Sequence, residues 1–263
     1  MKTLKIYQVD AFTEKLFGGN PAAVCILDKW LDDSIMQSIA AENNLAETAF
    51  IVPRINYFEI RWFTPAIEVD LCGHATLASA FVYFQCLDYK EPVISFHSPR
   101  SGELKVSKQD DYLMLDFPTD VLKEIDFDEE IAKCIGIEPI ETFKGKTDYM
   151  AVIKDEHELV NLYPDLIEIS KLKARGLIVT AKGNHVDFVS RFFAPQCGID
   201  EDPVTGSAHT SLIPYWSSKL GKTEMKARQL SKRGGDLICK HNGNRSLIGG
   251  KACLYLIGEI VIE

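Results

Sequence analysis

Three carboxylates crowd a proline in the stretch GIDEDPVTGSAHTSL, residues 198–212, and then give way to small hydroxyl residues. Asp200, Glu201 and Asp202 beside Ser207 are residue types that could take part in acid–base catalysis. The same pattern is typical of an acidic loop that leads into a capped helix, because Ser and Thr side chains accept hydrogen bonds from free first-turn N–H groups. The stretch alone therefore leaves both interpretations open.

The composition, with 46% hydrophobic and 25% charged residues, is ordinary for a folded soluble protein. The chain has 263 residues, which predicts one large domain or two of roughly 130 residues. It contains no run approaching the ~18 apolar residues that span a bilayer. The segment MKTLKIYQVDAF alternates apolar and polar residues, which indicates a strand rather than a signal peptide, so we expect a cytoplasmic protein. A formal charge of -9 argues against nucleic acid or an anionic membrane as a partner.

The cysteines and the missing motifs restrict the chemistry further. The seven cysteines are odd in number and scattered without a C-x-x-C pair, so we expect reduced thiols that are mostly buried. The sequence lacks H-E-x-x-H, zinc-deaminase, P-loop and G-x-G-x-x-G patterns. We therefore predict no metal and no organic cofactor, and a reaction carried by side chains alone.

An internal repeat sets the architecture. CGHA at 72–75 and TGSA at 205–208 lie 133 residues apart, as do SPRSGEL at 98–104 and SKRGGDL at 231–237. RWFTP and RFFAP, which begin at Arg61 and Arg191, lie 130 residues apart. RWFTP and RFFAP read as strand ends. The loop between that strand and the following helix is therefore three residues longer in the second half, and this longer loop is the acidic stretch.

Each repeat reads as a strand, a loop, a helix opened by Gly and a hairpin. The helices HATLASAFVYF and SAHTSLIPYW lack a polar face and should be buried, with Pro214 bending or ending the second one early. The predicted fold is α+β, with two pseudo-symmetric domains that each wrap a curled, mostly antiparallel sheet around a central helix. The domains are expected at 1–118, with about 253–263 as a candidate addition, and at 119–252, with the active site between them.

Both glycine-started helices would present a first turn to that site. A helix N-terminus offers unpaired N–H groups and a partial positive charge, which suits a carboxylate or an oxyanion. Gly73 with His74, and Gly206 with Ser207, are therefore candidate anion-binding positions, since glycine lets a ligand approach the backbone. Two ordinary capped helices are the alternative.

Four motifs resemble one known family over nearly the whole chain. YQVDAFTEKLFGGNPAAV at 7–24, ENNLAETAF at 42–50, CGHATLASA at 72–80 and GIDEDPVTGSAH at 198–209 resemble the PhzF-like phenazine biosynthesis family. The resemblance implies a diaminopimelate epimerase-like fold and a cofactor-free isomerase that is often a homodimer.

The resemblance also implies site residues. It assigns Glu47 as the acid/base carboxylate and His74, Asp202 and Ser207 as further catalytic residues. We expect Asn20 to bind substrate near the cleft, together with Gly73 and Gly206. Glu47 leads into the apolar strand AFIV, and its partial desolvation should raise the carboxyl pKa toward the range useful for proton transfer. Each residue also has an ordinary structural interpretation: a solvated strand end, a first-turn polar group, an N-cap or a turn. Asp200 and Glu201 are expected to be solvated.

One position departs from the related epimerases and racemases, which place a cysteine before the helix glycine in both halves. This chain has Cys72 in the first half and Thr205 in the second. We therefore expect an isomerase in which Glu47 moves a proton between carbons of a small carboxylated metabolite. Two alternatives stay open. One is an epimerase or racemase that uses Cys72, whose pKa a helix N-terminus would lower. The other is a two-lobed protein that binds a small acid without chemistry.

Overall fold

The computed structural model describes residues 2–126 and 129–262. The chain divides into two compact units, Met1–Asp116 with Gly249–Glu263, called unit 1, and Phe117–Ile248, called unit 2. Within the described ranges, no helix is both long and apolar enough to cross a membrane.

Unit 1 contains most of the first half of the chain together with the last strand. Its elements are β1 (Lys2–Ala11), β2 (Asn20–Ile26), α1 (Asp33–Asn43), β3 (Glu47–Pro53), β4 (Phe58–Phe63), β5 (Glu68–Val69), α2 (Gly73–Phe81), β6 (Val93–Ser98), β7 (Gly102–Gln109) and β8 (Tyr112–Pro118), closed by β17 (Ala252–Ile262). A π-helical segment, Val82–Cys86, continues α2.

The strands of unit 1 pair in a mixed order. β17 and β2 both pair antiparallel with β1, β2 pairs parallel with β3, β3 antiparallel with β4, β4 parallel with β6, and β6 antiparallel with β7. Helix α2 packs on β1, β2 and β3. Residues 73–80 of α2 are all buried, which confirms the prediction from its missing polar face.

Unit 2 repeats this organisation. Its elements are β9 (Lys123–Ile125), α3 (Glu129–Ile135), β10 (Glu141–Lys144), β11 (Asp148–Val152), α4 (Glu156–Val160), α5 (Leu166–Lys171), β12 (Gly176–Lys182), β13 (Phe188–Phe193), α6 (His209–Leu220), β14 (Glu224–Gln229), β15 (Gly235–Asn242) and β16 (Arg245–Gly250). A 3₁₀ turn, Pro195–Cys197, follows β13.

The two units share one sequence of strand pairings. β10 to β15 pair antiparallel, parallel, antiparallel, parallel and antiparallel, which is also the order from β1 through β2, β3, β4 and β6 to β7. The repeat motifs SPRSGEL and SKRGGDL fall at the equivalent hairpins β6–β7 and β14–β15. The structure therefore has the predicted α+β fold with a curled, mostly antiparallel sheet and pseudo-symmetric halves.

Helices cover a second apolar face in each unit. In unit 1, Met36, Ile39 and Ala40 of α1 pack with Phe50 and Val52 of β3. In unit 2, helices α3, α4 and α5 supply the equivalent cover over β12. Strands β3 and β12 are buried along nearly their whole length, which explains their continuous apolar runs.

Helix α6 starts later than the sequence predicts. The expectation that Gly206 opens it is wrong, because residues 206–208 form tighter turns in which the His209 N–H donates to the Gly206 carbonyl and the Thr210 N–H donates to the Ser207 carbonyl, both at 3.1 Å. The regular α-helix begins only at His209. Gly206 and Ser207 therefore lie in a turn ahead of the helix.

Pro214 does not end α6, which continues to Leu220. A proline inside a helix cannot donate to the carbonyl four residues earlier, here that of Thr210. That carbonyl instead accepts a hydrogen bond at 3.1 Å from the backbone N–H of Asp120. The interruption leaves no unsatisfied acceptor at this point. Of the two effects expected from Pro214, a bend or an early end, the early end is wrong.

An arginine–glutamate pair recurs at equivalent positions of the two units. Arg61 donates through Nε and Nη2 to Glu68 at 2.6 and 2.8 Å, and Arg191 donates through the same atoms to Glu201 at 2.7 and 3.1 Å. Each guanidinium lies over the phenylalanine two residues later. The expectation that Glu201 is solvated is therefore wrong, whereas Asp200 is exposed.

These pairs locate the extra residues of the second repeat. Arg61 and Arg191 differ by 130 positions, whereas Glu68 and Glu201 differ by 133. The three additional residues therefore lie between Arg191 and Glu201, in the segment that carries the 3₁₀ turn.

Candidate active site

Glu47 and His74 meet inside unit 1. Glu47 is the first residue of β3, where it pairs with Ala22 of the parallel strand β2, and His74 is the second residue of α2. The distance from Oε2 of Glu47 to Nε2 of His74 is 3.1 Å. Relative to full exposure, Glu47 is 9% and His74 is 4% accessible. A carboxylate and an imidazole in this arrangement can exchange a proton with a bound molecule and with each other.

Asn20 contacts the other ring nitrogen of the same imidazole. Its side-chain amide nitrogen lies 3.1 Å from Nδ1 of His74, and Asn20 itself is completely buried at the start of β2. The preceding residue must be glycine. Gly19 has φ +58, and a Cβ there would lie 2.0 Å from the carbonyl oxygen of Ala11. The GGNP sequence therefore places an amide that fixes the orientation of the His74 ring.

Cys72 completes this cluster. Its Sγ lies 3.5 Å from Nδ1 of His74. Burial, reinforced by the charge of Glu47, raises the pKa of the Cys72 thiol to about 11. The lowered pKa expected from the helix N-terminus is wrong, because the loss of hydration outweighs the helix field.

His74 is shifted in the direction that favours its charged form. Burial by itself lowers the pKa of His74, but the Coulombic effects of Cys72 and Glu47 outweigh it and hold the pKa well above the ordinary value of 6.5. Since Cys72 holds its proton at neutral pH, we attribute the upward direction to the Glu47 carboxylate. The pair therefore combines a carboxylate with a proton-bearing imidazole.

Gly73 begins α2 directly beside these groups. Cys72 occupies the N-cap position in an extended conformation, without a capping hydrogen bond from its side chain. The first-turn N–H groups of α2 can therefore serve an anionic oxygen close to Glu47 and His74.

In unit 2, Asp202 is held by Thr205 in the following turn and by Gln229 of β14. It is 7% exposed, and its Oδ2 accepts a hydrogen bond of 2.5 Å from the hydroxyl of Thr205. Gln229, at the end of β14, accepts from the Thr205 N–H and donates to the Asp202 carbonyl, both at 2.8 Å. Gln229 thereby fixes the turn between Asp202 and Gly206.

Ser207 is held by residues that the sequence analysis missed. Its hydroxyl oxygen accepts a hydrogen bond of 2.9 Å from Nη1 of Arg175. The Arg175 guanidinium is in turn paired through Nε at 2.9 Å, and through Nη2, with the buried carboxylate of Asp148. Because the charged guanidinium occupies a lone pair of the Ser207 oxygen, the hydroxyl proton points to another acceptor.

Arg175 lies next to the position that corresponds to Glu47. Phe50 and Val179 are the residues opposite Arg61 and Arg191 in their respective strand pairs, so β3 and β12 align with Gly176 at the position of Glu47. Arg175 precedes that glycine directly. His74 and Ser207 are equivalent positions of the repeat. The side chain that contacts His74 is a proton acceptor, Glu47, whereas the side chain that contacts Ser207 is a permanent cation, Arg175.

The predicted site residues thus form two groups. Asn20, Glu47, Gly73 and His74 lie together in unit 1, and Asp202, Gly206 and Ser207 lie in one segment of unit 2. Their catalytic roles, and the shared cleft expected from the repeat, stay predictions.

The similarity to known proteins identifies the family. A family model described as phenazine biosynthesis-like protein matches residues 9–258. The chain belongs to this PhzF-like family. A protein of Pseudomonas aeruginosa that is named an uncharacterized isomerase is 50% identical to it over 257 residues, with 98% of each chain covered. A crystal structure of a PhzF-family phenazine biosynthesis protein from Enterococcus faecalis is 46% identical, has a TM-score of 0.96 and covers 99% of this chain and 100% of that chain.

A more distant relationship shows the fold alone. The crystal structure of a hydroxyproline epimerase from Agrobacterium vitis is 10% identical, with a TM-score of 0.66 over 98% of this chain and 92% of that chain. The PhzF-like chain therefore shares its architecture with epimerases and racemases. Its curated relatives identify it as an isomerase.

Proposed function

We propose that this PhzF-like isomerase acts without a cofactor on a small carboxylated metabolite, and that Glu47 moves a proton between two carbons of that substrate. The observation that carries this proposal is the 3.1 Å contact between the buried Glu47 carboxylate and His74. A carboxylate can remove a proton from an activated carbon and return it to another one. A proton-bearing imidazole beside it can stabilise the electron-rich intermediate.

The other residues of unit 1 support that chemistry. Asn20 keeps the His74 ring in one orientation, so that Nε2 faces Glu47. The first-turn N–H groups at Gly73 can bind a carboxylate or enolate oxygen of the substrate. Both roles place polar groups where negative charge develops, which is commonly the largest contribution to catalysis.

In unit 2, we assign binding roles to the polar turn of the second repeat motif. Asp202 accepts a hydrogen bond from, or pairs with, a donor group of the substrate. Ser207 donates to an acceptor, because Arg175 already occupies its oxygen. Gly206 allows close approach to the backbone. We also propose that the protein forms the homodimer that the family resemblance implies.

The alternative epimerase would use Cys72 and Glu47 as two bases. The contact between Cys72 and His74 is the observation in favour of this alternative, but the distances do not favour a two-base scheme. Two bases that flank one carbon, each about 3–3.5 Å from it, are about 6–7 Å apart. One carboxylate oxygen of Glu47, Sγ of Cys72 and one ring nitrogen of His74 all lie within 4.8 Å of one another. The thiol, with its pKa raised to about 11, is also a poor base at neutral pH.

Proton NMR in deuterated buffer tests the proposal. Candidate carboxylated metabolites are incubated with wild-type protein, Glu47→Gln and Cys72→Ala. We expect deuterium to enter carbon at a position different from the one that loses its proton, with wild type and Cys72→Ala but not with Glu47→Gln. Exchange at a single stereocentre that depends on Cys72 would support the epimerase. Saturable binding without exchange of any bound metabolite would support the non-catalytic binder.

A further inference from the structure

The Glu47, Cys72 and His74 side chains also form a set of metal ligands. One carboxylate oxygen, the thiol sulfur and one imidazole nitrogen lie within 4.8 Å of one another, and all three residues are buried. Cysteine, histidine and carboxylate side chains are the ligand types of zinc in proteins. A set that contains a thiolate favours zinc over the hard cations magnesium and calcium.

The distances are close to those of a zinc site. With Zn–S bonds of about 2.3 Å and Zn–N or Zn–O bonds of about 2.0–2.2 Å, tetrahedral ligand atoms are roughly 3.3–3.7 Å apart. Nε2 of His74 lies 3.1 Å from Oε2 of Glu47 and 4.0 Å from Sγ of Cys72. Both distances lie within about 0.5 Å of these separations.

Asn20 supplies the outer partner that such a site requires. A histidine that binds a metal through one ring nitrogen ordinarily hydrogen-bonds through the other, which fixes its tautomer. The nitrogen of the Asn20 side-chain amide lies 3.1 Å from Nδ1 of His74. With the amide turned so that its oxygen faces the ring, Asn20 accepts the Nδ1 proton of the metal-bound imidazole, which leaves Nε2 for the metal. Three protein ligands leave a fourth position for water or a ligand oxygen.

We propose that unit 1 binds one Zn²⁺ through Oε of Glu47, Sγ of Cys72 and Nε2 of His74, and that the bound ion inhibits the isomerase. Binding forms one Zn–S, one Zn–N and one Zn–O bond, while the proton of the Cys72 thiol and the proton on Nε2 of His74 leave to solvent. A metal-bound carboxylate cannot accept a substrate proton. The inhibition therefore rests on the proposed role of Glu47, whereas the binding does not.

Titration with Co²⁺, a spectroscopic substitute for Zn²⁺, tests the binding without any substrate. Chelator-treated wild-type protein should give tetrahedral visible bands and a thiolate charge-transfer band at one equivalent, and Zn²⁺ should displace the cobalt. Cys72→Ala should lose the charge-transfer band and bind more than about tenfold more weakly, since even loss of an outer partner costs about 10–100-fold. The matched control is Cys197→Ala, which removes an exposed cysteine and should behave as wild type.

Two results would overturn the site. One is the absence of a tetrahedral spectrum in wild-type protein, and the other is an unchanged spectrum in Cys72→Ala that melts like wild type. Turnover measurements then address inhibition: Zn²⁺ should inhibit wild type and Cys197→Ala at concentrations that leave Cys72→Ala active, and Mg²⁺ should inhibit none of them. A Cys72-dependent spectrum without inhibition would leave the metal site standing and would count against Glu47 as the proton carrier.

Discussion

Replacing Glu47 by Gln tests the proposed mechanism most directly. The amide keeps the shape of the side chain and can still contact Nε2 of His74, but it cannot accept a proton. Loss of a general base typically lowers kcat about 10²–10⁴-fold, or roughly 3–5 kcal/mol of transition-state free energy. We expect this loss in kcat with little change in KM, because the substrate-binding groups at Gly73 and in unit 2 are left in place.

Glu68→Gln is a matched control in the same unit. The Glu68 side chain is 14% exposed, close to the 11% of Glu47, and it is also ion-paired, but with Arg61 rather than with His74. This variant should lose stability yet keep kcat near the wild-type value. The assay is steady-state kinetics beside thermal melts for wild type and both variants. A folded Glu47→Gln enzyme that turns over within about tenfold of wild type would refute the assignment of Glu47.

Three further outcomes are expected. Cys72→Ala should keep most of the wild-type turnover, and a folded variant that loses about 10² or more would favour the epimerase. Because the pKa of His74 is raised in the folded state, its stabilising contribution is complete below pH 6.5 and is lost as the pH rises toward the raised pKa. The melting temperature should therefore fall more steeply with rising pH for wild type than for His74→Gln. Equal slopes would contradict the shift. Glu201→Gln should lower the free energy of unfolding in urea by about 1–2 kcal/mol, because Arg191 loses its carboxylate partner. The exposed control Asp200→Asn should change it by less than about 0.5 kcal/mol. Similar values for both variants would show that the ion pair contributes nothing.

The architecture was predictable because the repeat is visible without alignment to other proteins. Offsets of 130 and 133 residues predicted equivalent strands, hairpins and helices, and a three-residue insertion. The pairing order confirms the equivalence. The Arg–Glu pairs explain both offsets, since they bracket the inserted residues.

Errors arose where tertiary contacts override local rules. A helix N-terminus lowers a thiol pKa only when the thiol keeps enough hydration, and Cys72 is buried. Pro214 would end an isolated helix, but the N–H of Asp120, ninety-four positions earlier, satisfies the exposed carbonyl. In the sequence, Glu201 is one of three carboxylates in a loop. In the structure, the neighbouring strand β13 provides Arg191 as its ion-pair partner.

Of the Arg175 and Asp148 pair, only Arg175 could have been found by extending the repeat from β3 to β12. Aligning β12 on β3 puts Arg175 next to the position of Glu47, although the two strand sequences share little beyond apolar character. Nothing in the local sequence indicates that Asp148 lies opposite Gly176, because the register of two parallel strands depends on the connection between them.

The discontinuity of unit 1 has a consequence for the growing chain. β17 pairs with β1 from Lys2↔Ile262 to Ala11↔Ala252, so this ladder cannot form until the last strand has been synthesised. Unit 2 is one continuous segment and can complete its fold earlier. During that interval β1 carries one unpaired edge, which is a site for pairing with another nascent chain. Unit 1 therefore needs segments from both sides of unit 2 in the sequence, and the edge of β1 is covered only once β17 has been made.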